Sequence, residues 1–143
     1  MDWVSGCAIL LTRPALDDVG LLDERFFAYH EDVDWCTSAR ARGYRMLWAP
    51  AARVVHRGAG SLAGRGIDSP ATYLTARNTV LFARKHARAH EWLGLGVTIG
   101  GSLLLEYLRR RRRGEGRVVE LLVRGYLDGA LGRELPHRAL GLR

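Results

Sequence analysis

The sequence predicts an α/β fold followed by a helical, basic tail. Short apolar runs at positions 3–11, 44–49 and 52–56 have no helical spacing, which is typical of strands. Helix start and stop residues bracket two further segments, 32–43 and 69–90, and these segments predict helices. A chain that mixes strand-like and helix-like segments is expected to form an α/β domain.

Length and composition support a folded protein. The chain has 143 residues, of which 48% are hydrophobic, enough for one compact domain. Its two cysteines, Cys7 and Cys36, have neither the spacing of a zinc site nor that of a disulfide framework. A reducing, cytosolic setting is therefore expected. The first residues lack the basic start of a signal peptide.

Positive charge is concentrated in the second half. Residues 1–75 carry 8 basic and 9 acidic side chains, whereas residues 76–143 carry 14 and 6, within a net charge of +7. Nearly all the basic residues are arginine, and a bias in the coding sequence explains part of this abundance. Arginine content alone is therefore weak support for binding to nucleic acid or lipid.

The first half is expected to alternate strands, loops and helices. The run 3–11 stops before Pro14, which suits the first turn of a short helix ending at Gly20. An aromatic-rich loop then leads to Glu31 and Asp32. The helix that begins there has an acid at its start, and Gly43 follows its last turn, as expected for a helix end.

The second half is predicted to be helical. Ser69 and Pro70 form a start signal for a long helix that ends between His86 and His90. The stretch 92–105 is almost uncharged but too short to span a bilayer. It fits either a helix lying on an anionic membrane, with the arginines at 109–113 beyond it, or a core helix before a solvated basic turn. A last amphipathic helix is expected around residues 118–131.

Several polar residues are candidates for chemistry. Asp32 stands where a helix start would hold a general base, although a simple helix cap has the same features. His56 follows a predicted strand and could reach a metal or a phosphate, but a histidine there is more often structural. Arg77, with Asn78, could contact a phosphate, whereas a polar helix face is the commoner role.

The order and spacing of these segments resemble the C-terminal portion of bacterial family 2 glycosyltransferases, especially rhamnosyltransferase-like members. The resemblance covers roughly residues 3–90, and loosely the tail. The matching segments are Ser5-Gly6-Cys7-Ala8, 19–27, 29–36, Arg42-Gly43-Tyr44-Arg45, Pro50-Ala51-Ala52, Val55-His56, Ser61, Tyr73 and Arg77-Asn78.

The resemblance implies the acceptor side of a GT-A fold, a nucleotide-diphospho-sugar transferase of the α/β class. Residues 1–90 would form that half, and residues 91–143 a basic, membrane-associated segment. Asp32 would be the general base in an inverting transfer from a nucleotide-sugar donor to a glycan or lipid-linked acceptor. His56 would help hold Mg²⁺ or Mn²⁺, and Arg77 a phosphate. The residues expected at the acceptor are Gly6, Glu31, Asp34 and Trp35, which replaces the leucine usual in the family.

The family's nucleotide-binding half has no counterpart in this sequence. The chain is therefore expected to be a fragment, a mis-started gene product, or one half of a split enzyme with a separate N-terminal half as its partner. Alone it is expected to have little activity. The expected location is the cytoplasmic face of the cell membrane. The competing hypothesis is a non-catalytic, basic peripheral-membrane or nucleic-acid-binding protein that uses the arginines at 109–113. This hypothesis gives the acidic cluster at 31–34 and the loop after His56 no purpose. A nucleic-acid partner is not expected.

Overall fold

The computed structural model describes residues 1–56, 69–111 and 115–136. The chain divides into two compact units, Met1–Gly60 and Ser61–Arg143. The described residues contain α-helices and a short 3₁₀ helix, Glu24–Phe26. The α-helices are α1 Arg13–Val19, α2 Glu31–Ala41, α3 Pro70–His86, α4 Glu91–Arg111 and α5 Gly116–Leu131.

The predicted α/β class is wrong, because no strand or sheet occurs in the described part of the chain. A strand exists only when its backbone N–H and C=O groups pair with a neighbouring chain segment. The runs 3–11, 44–49 and 52–56 form no such ladder, and Leu10 and Val55 leave 90% and 95% of their surface exposed. Their apolar composition was therefore misleading as a sign of buried strands.

The helix predictions, by contrast, are confirmed to within a few residues. Each predicted segment contains a helix, and α1 begins at Arg13 with Pro14 in its first turn. Gly20 (φ 91°) follows α1 and Gly43 (φ 88°) follows the last turn of α2, a left-handed backbone that glycine adopts most easily. The predicted functional division at residue 90 stays a prediction; the compact units divide between Gly60 and Ser61.

The first unit is held together by a small core between α1 and α2. Its buried members are Ala15, Trp35, Cys36 and Ala39. Partly buried residues of the extended segments before α1 and after α2 pack against them. The extended segments therefore cover this core by side-chain packing, without sheet hydrogen bonds.

The second unit is built on close packing of α3 against α5. Gly125 and Gly129 face the α3 backbone, and a Cβ atom at Gly125 would lie 2.5 Å from the carbonyl oxygen of Tyr73. The Tyr73 hydroxyl donates a 2.9 Å hydrogen bond to the carboxylate of buried Asp128. Arg84 donates to the carbonyl oxygen of Gly129, 3.1 Å away. Small residues on α5 thus let two helix backbones approach closely.

Helix α4 packs against α5 but has no fully buried residue. A groove of about 630 Å³ lies between the end of α4 and α5, with Tyr107, Val123 and Leu127 among its apolar lining. Within the ranges that the structure describes, no helix has both the length and the hydropathy required to cross a membrane.

Candidate functional site

The acidic cluster lies at the start of α2, after an unusual turn. Glu31, Asp32 and Asp34 all occur in the first turn of α2, where the helix dipole favours negative charge. Just before them, Phe27, Tyr29 and His30 have φ angles of 59°, 68° and 72°. Residues other than glycine rarely adopt positive φ, and such strain is concentrated at functional sites. The turn sets the direction in which the acidic side chains leave the backbone.

Backbone donors fix the Asp32 carboxylate. The Gly6 N–H donates to Oδ2 over 2.7 Å, and the Val33 N–H donates to Oδ1 over 2.8 Å. A Cβ atom added to Gly6 would lie 3.4 Å from the Cβ of Asp32, so the turn at Gly6, in the segment before α1, lies directly beside this side chain. Each carboxylate oxygen has two lone pairs and so keeps one acceptor site beyond its backbone bond. The arrangement therefore leaves a positioned, half-buried carboxylate that can accept a proton.

Glu31, the neighbouring acid, has a different environment. Its Oε2 atom is buried and has no hydrogen-bond partner among the described residues. Burial raises the pKa of the Glu31 carboxyl, and the nearby charge of Asp32 adds to this effect. Burial also lowers the pKa of the His30 imidazole, although the charge of Asp32 opposes the change. The two residues before Asp32 are thus both biased toward their neutral forms.

Asp34 points into the interior of the first unit and is 2% exposed. In the preceding 3₁₀ helix, Arg25 donates two hydrogen bonds to the carboxylate of Asp23. Its Nε lies 2.9 Å from Oδ1 and its Nη2 lies 2.6 Å from Oδ2. The hydrogen bonds to Asp23 are the main cause of a raised Arg25 pKa, and the charge of Asp34 contributes to it. The negative charge of Asp34 therefore favours the charged form of Arg25, which lies in the 3₁₀ helix before α2. Its predicted contact with an acceptor stays a prediction.

Trp35 belongs to the core of the first unit. It is 4% exposed, and its indole Nε1–H donates a 2.8 Å hydrogen bond to the carbonyl oxygen of Gly20. This bond ties α2 to the end of α1 and fixes the rotation of α2 about its axis. Trp35 lies about one helical turn after Asp32, so its hydrogen bond to Gly20 helps to fix the position of Asp32. The predicted contact of Trp35 with an acceptor stays a prediction.

His56, the predicted metal ligand, is exposed at the end of its extended segment. The glycine-rich loop that follows lies outside the described residues. In the parts of the chain that are described, no group of three His, Cys, Asp or Glu side chains is arranged to hold a metal ion. The residues seen do not form a complete metal site, and a metal at His56 stays a prediction.

Arg77, the predicted phosphate ligand, lies buried in α3 of the second unit. Its Nη2 donates a 2.8 Å hydrogen bond to the carbonyl oxygen of Arg133, just after α5, and its Nη1 donates to Asn78. These contacts link α3 to the end of α5. The structure thus brings together Gly6, Glu31, Asp32 and Asp34, whereas Arg77 lies in the other compact unit.

Sequence reasoning missed the residues that shape the turn before α2. His30 precedes α2 and has a left-handed backbone. Asp23 and Arg25 form an ion pair in the loop between α1 and α2. The dense run of aromatic residues at 26–30 was the available signal, since it marked an ordered loop. It did not reveal the positive φ angles, because those residue types usually avoid them.

Two curated relatives match this chain. Both are described as N-acetylglucosaminyl-diphospho-decaprenol L-rhamnosyltransferase, from Mycobacterium tuberculosis strains CDC 1551/Oshkosh and ATCC 25618/H37Rv. Each is 35% identical over 127 residues, which is 82% of this chain and 40% of the relative. The chain is therefore related to part of a glycosyltransferase and spans about 40% of its length. No family model and no solved structure matches the chain.

Proposed function

We propose that this protein forms the acceptor side of a sugar transferase, with Asp32 as the general base. The observation that carries the proposal is the Asp32 carboxylate, held at the start of α2 by the N–H groups of Gly6 and Val33. Similarity to mycobacterial rhamnosyltransferases supplies the reaction class. Neither argument is sufficient without the other, because a capped helix start is common and the relatives are matched only in part.

In the proposed reaction, Asp32 accepts the proton of an acceptor hydroxyl. The freed oxygen attacks the anomeric carbon of a nucleoside-diphosphate sugar, a new C–O bond forms, and the bond to the diphosphate breaks. Attack from the side opposite the leaving group inverts the anomeric centre. The backbone bonds to both carboxylate oxygens would keep the base in place before the hydroxyl arrives, which lowers the entropic cost of the reaction.

The raised pKa of Glu31 supports a division of roles within the cluster. A neutral Glu31 carboxyl donates a hydrogen bond as well as accepting one, so it suits orienting a sugar hydroxyl. Asp32 is the acceptor of the proton. A divalent ion at His56 and a phosphate at Arg77 remain predictions, and no step is assigned to either.

The substrates are proposed by analogy with the named relatives. We propose a nucleoside-diphosphate rhamnose as donor and an N-acetylglucosaminyl-diphospho-polyprenol as acceptor, used at the inner face of the cell membrane. Because the chain spans about 40% of the relatives, we also propose that the region corresponding to their remaining length, called the donor-site region, supplies the donor site.

The test is a transfer assay with defined substrates. The chain, alone and together with the donor-site region, is incubated with the donor and the lipid-linked acceptor, and the product is identified by mass spectrometry and NMR. The proposal expects a rhamnosylated lipid with an inverted anomeric centre, formed in quantity only when the donor-site region is present. A product with retained configuration, or no product when the donor-site region is present, would contradict it.

A further inference from the structure

One side of α4 carries an exposed apolar stripe that no described part of the chain covers. Leu93, Val97, Leu104 and Leu108 are separated by intervals that place them on the same side of a helix. Each leaves more than half of its surface exposed, from 55% at Leu108 to 78% at Leu93. These four residues are called the α4 stripe. Exposed apolar side chains aligned in this way mark an interaction surface.

The opposite side of α4 is already occupied. Leu95, Ile99 and Leu103 are half-buried there, and α4 packs against α5. Further along that side, Arg110 is paired with Glu106 and, over 2.6 Å, with Glu115. Among the described residues, the stripe side is therefore the more exposed side of α4, and it can meet another surface along the length of the helix.

The stripe ends in positive charge. Arg111 follows Leu104 and Leu108 at helical spacing and is exposed, and it also lines one end of the groove beside α5. Two more arginines follow it in the sequence.

We infer that the α4 stripe docks on an anionic phospholipid surface, with the helix axis along the surface. The stripe enters the boundary between headgroups and acyl chains, and Arg111 contacts headgroup phosphates. Charge favours lipid over a second copy of this chain, because residues 76–143 carry 14 basic and 6 acidic side chains and two such surfaces repel. The inference rests on α4 alone and is tested without sugar transfer.

The test is binding of the full chain to vesicles, measured by co-sedimentation. Vesicles of phosphatidylcholine alone are compared with vesicles of equal parts phosphatidylcholine and phosphatidylglycerol. Tight binding is expected only with phosphatidylglycerol and should weaken as salt is added, because salt screens the arginine charges. Equal binding to both vesicle types, or no binding to either, overturns the inference.

Paired variants locate the contact on the stripe. Leu104→Gln should weaken binding about tenfold, because it removes apolar surface from the lipid. Leu131→Gln, on α5, changes a residue of similar exposure, 61% against 59%, and should leave binding unchanged. Arg111→Gln should weaken binding about fivefold, whereas Arg45→Gln, an exposed arginine of the first unit, should not.

Several outcomes would overturn the inference. Equal binding of Leu104→Gln and the parent chain would place the contact elsewhere, as would equal losses from Leu104→Gln and Leu131→Gln. Circular dichroism of each variant separates a loss of binding from a loss of structure. If the chain is instead a dimer that Leu104→Gln separates, and it does not bind vesicles, the stripe is a helix–helix interface.

Discussion

The backbone N–H of Gly6 donates a 2.7 Å hydrogen bond to Oδ2 of Asp32, across 26 positions of sequence. This bond attaches the extended segment before α1 to the start of α2. The absence of a side chain at Gly6 leaves the space beside the carboxylate open. The position of the proposed base therefore depends on two segments, and on the packing that holds α2 in its orientation.

The Trp35 indole holds α2 against the end of α1. Trp35→Phe keeps the aromatic ring but removes the 2.8 Å hydrogen bond to the carbonyl oxygen of Gly20. Loss of this part-buried hydrogen bond is expected to lower the free energy of unfolding by about 0.5–1.5 kcal/mol. Urea unfolding followed by circular dichroism measures this change. Trp48→Phe is the control, since Trp48 is 75% exposed, and similar losses in both variants would contradict the assignment.

The close approach of α3 and α5 predicts that Gly125 tolerates no side chain. A Cβ atom in Gly125→Ala would lie 2.5 Å from the Tyr73 carbonyl oxygen, so the helices must move apart. The expected loss is about 1–3 kcal/mol of unfolding free energy, from urea denaturation. The matched control is Gly101→Ala in α4, where a Cβ atom meets nothing within 4 Å.

Gly101→Ala should leave stability unchanged or raise it by up to about 1 kcal/mol, because alanine favours helix more than glycine does. A Gly125→Ala variant as stable as the parent chain would show that α3 and α5 do not pack in the manner described. Both variants replace a helical glycine with alanine, so the change in helix propensity is the same in each. A difference between their unfolding free energies therefore measures the clash of Gly125→Ala with α3.

Burial of Glu31 predicts a pH-dependent effect on stability. Its pKa is raised in the folded chain, so its contribution to stability is full below the ordinary glutamate pKa and is lost as pH rises through the folded value. Glu31→Gln cannot ionise and avoids that loss. The stability of Glu31→Gln relative to the parent chain should therefore increase from about pH 4 to about pH 7.

Unfolding free energies measured by urea titration at several pH values test this effect. Glu24→Gln, at an exposed glutamate of the preceding 3₁₀ helix, serves as the control and should show little change relative to the parent chain. If the advantage of Glu31→Gln is constant or decreases with rising pH, the carboxyl is not buried in the way described.

Local signals in the sequence predicted the helices well. Pro14 and Gly20 bracket α1, and Ser69 with Pro70 precedes α3, because these residues act on the backbone immediately around them. The strand predictions failed for the opposite reason. A strand depends on a distant partner, and the apolar run that contains Val55 carries no information about whether a partner is present.

The candidate site was predictable only in part. An acid at a helix start was visible in the sequence, so Asp32 could be identified as a candidate base. The contact from Gly6 and the burial of Trp35 depend on tertiary packing between α1 and α2, which the pattern of residues did not specify. The hydrogen bond from Arg77 to the carbonyl oxygen of Arg133, after α5, likewise depends on tertiary packing, and the predicted phosphate contact stays a prediction.

The central claim is that Asp32 accepts the acceptor proton, and Asp32→Asn tests it most directly. The amide cannot act as a base, so kcat in the transfer assay with the donor-site region present should fall about 10²–10⁴-fold. Asp17→Asn, at an exposed aspartate paired with Arg13, should leave kcat unchanged. An Asp32→Asn variant that folds normally and keeps the parent kcat would contradict the account.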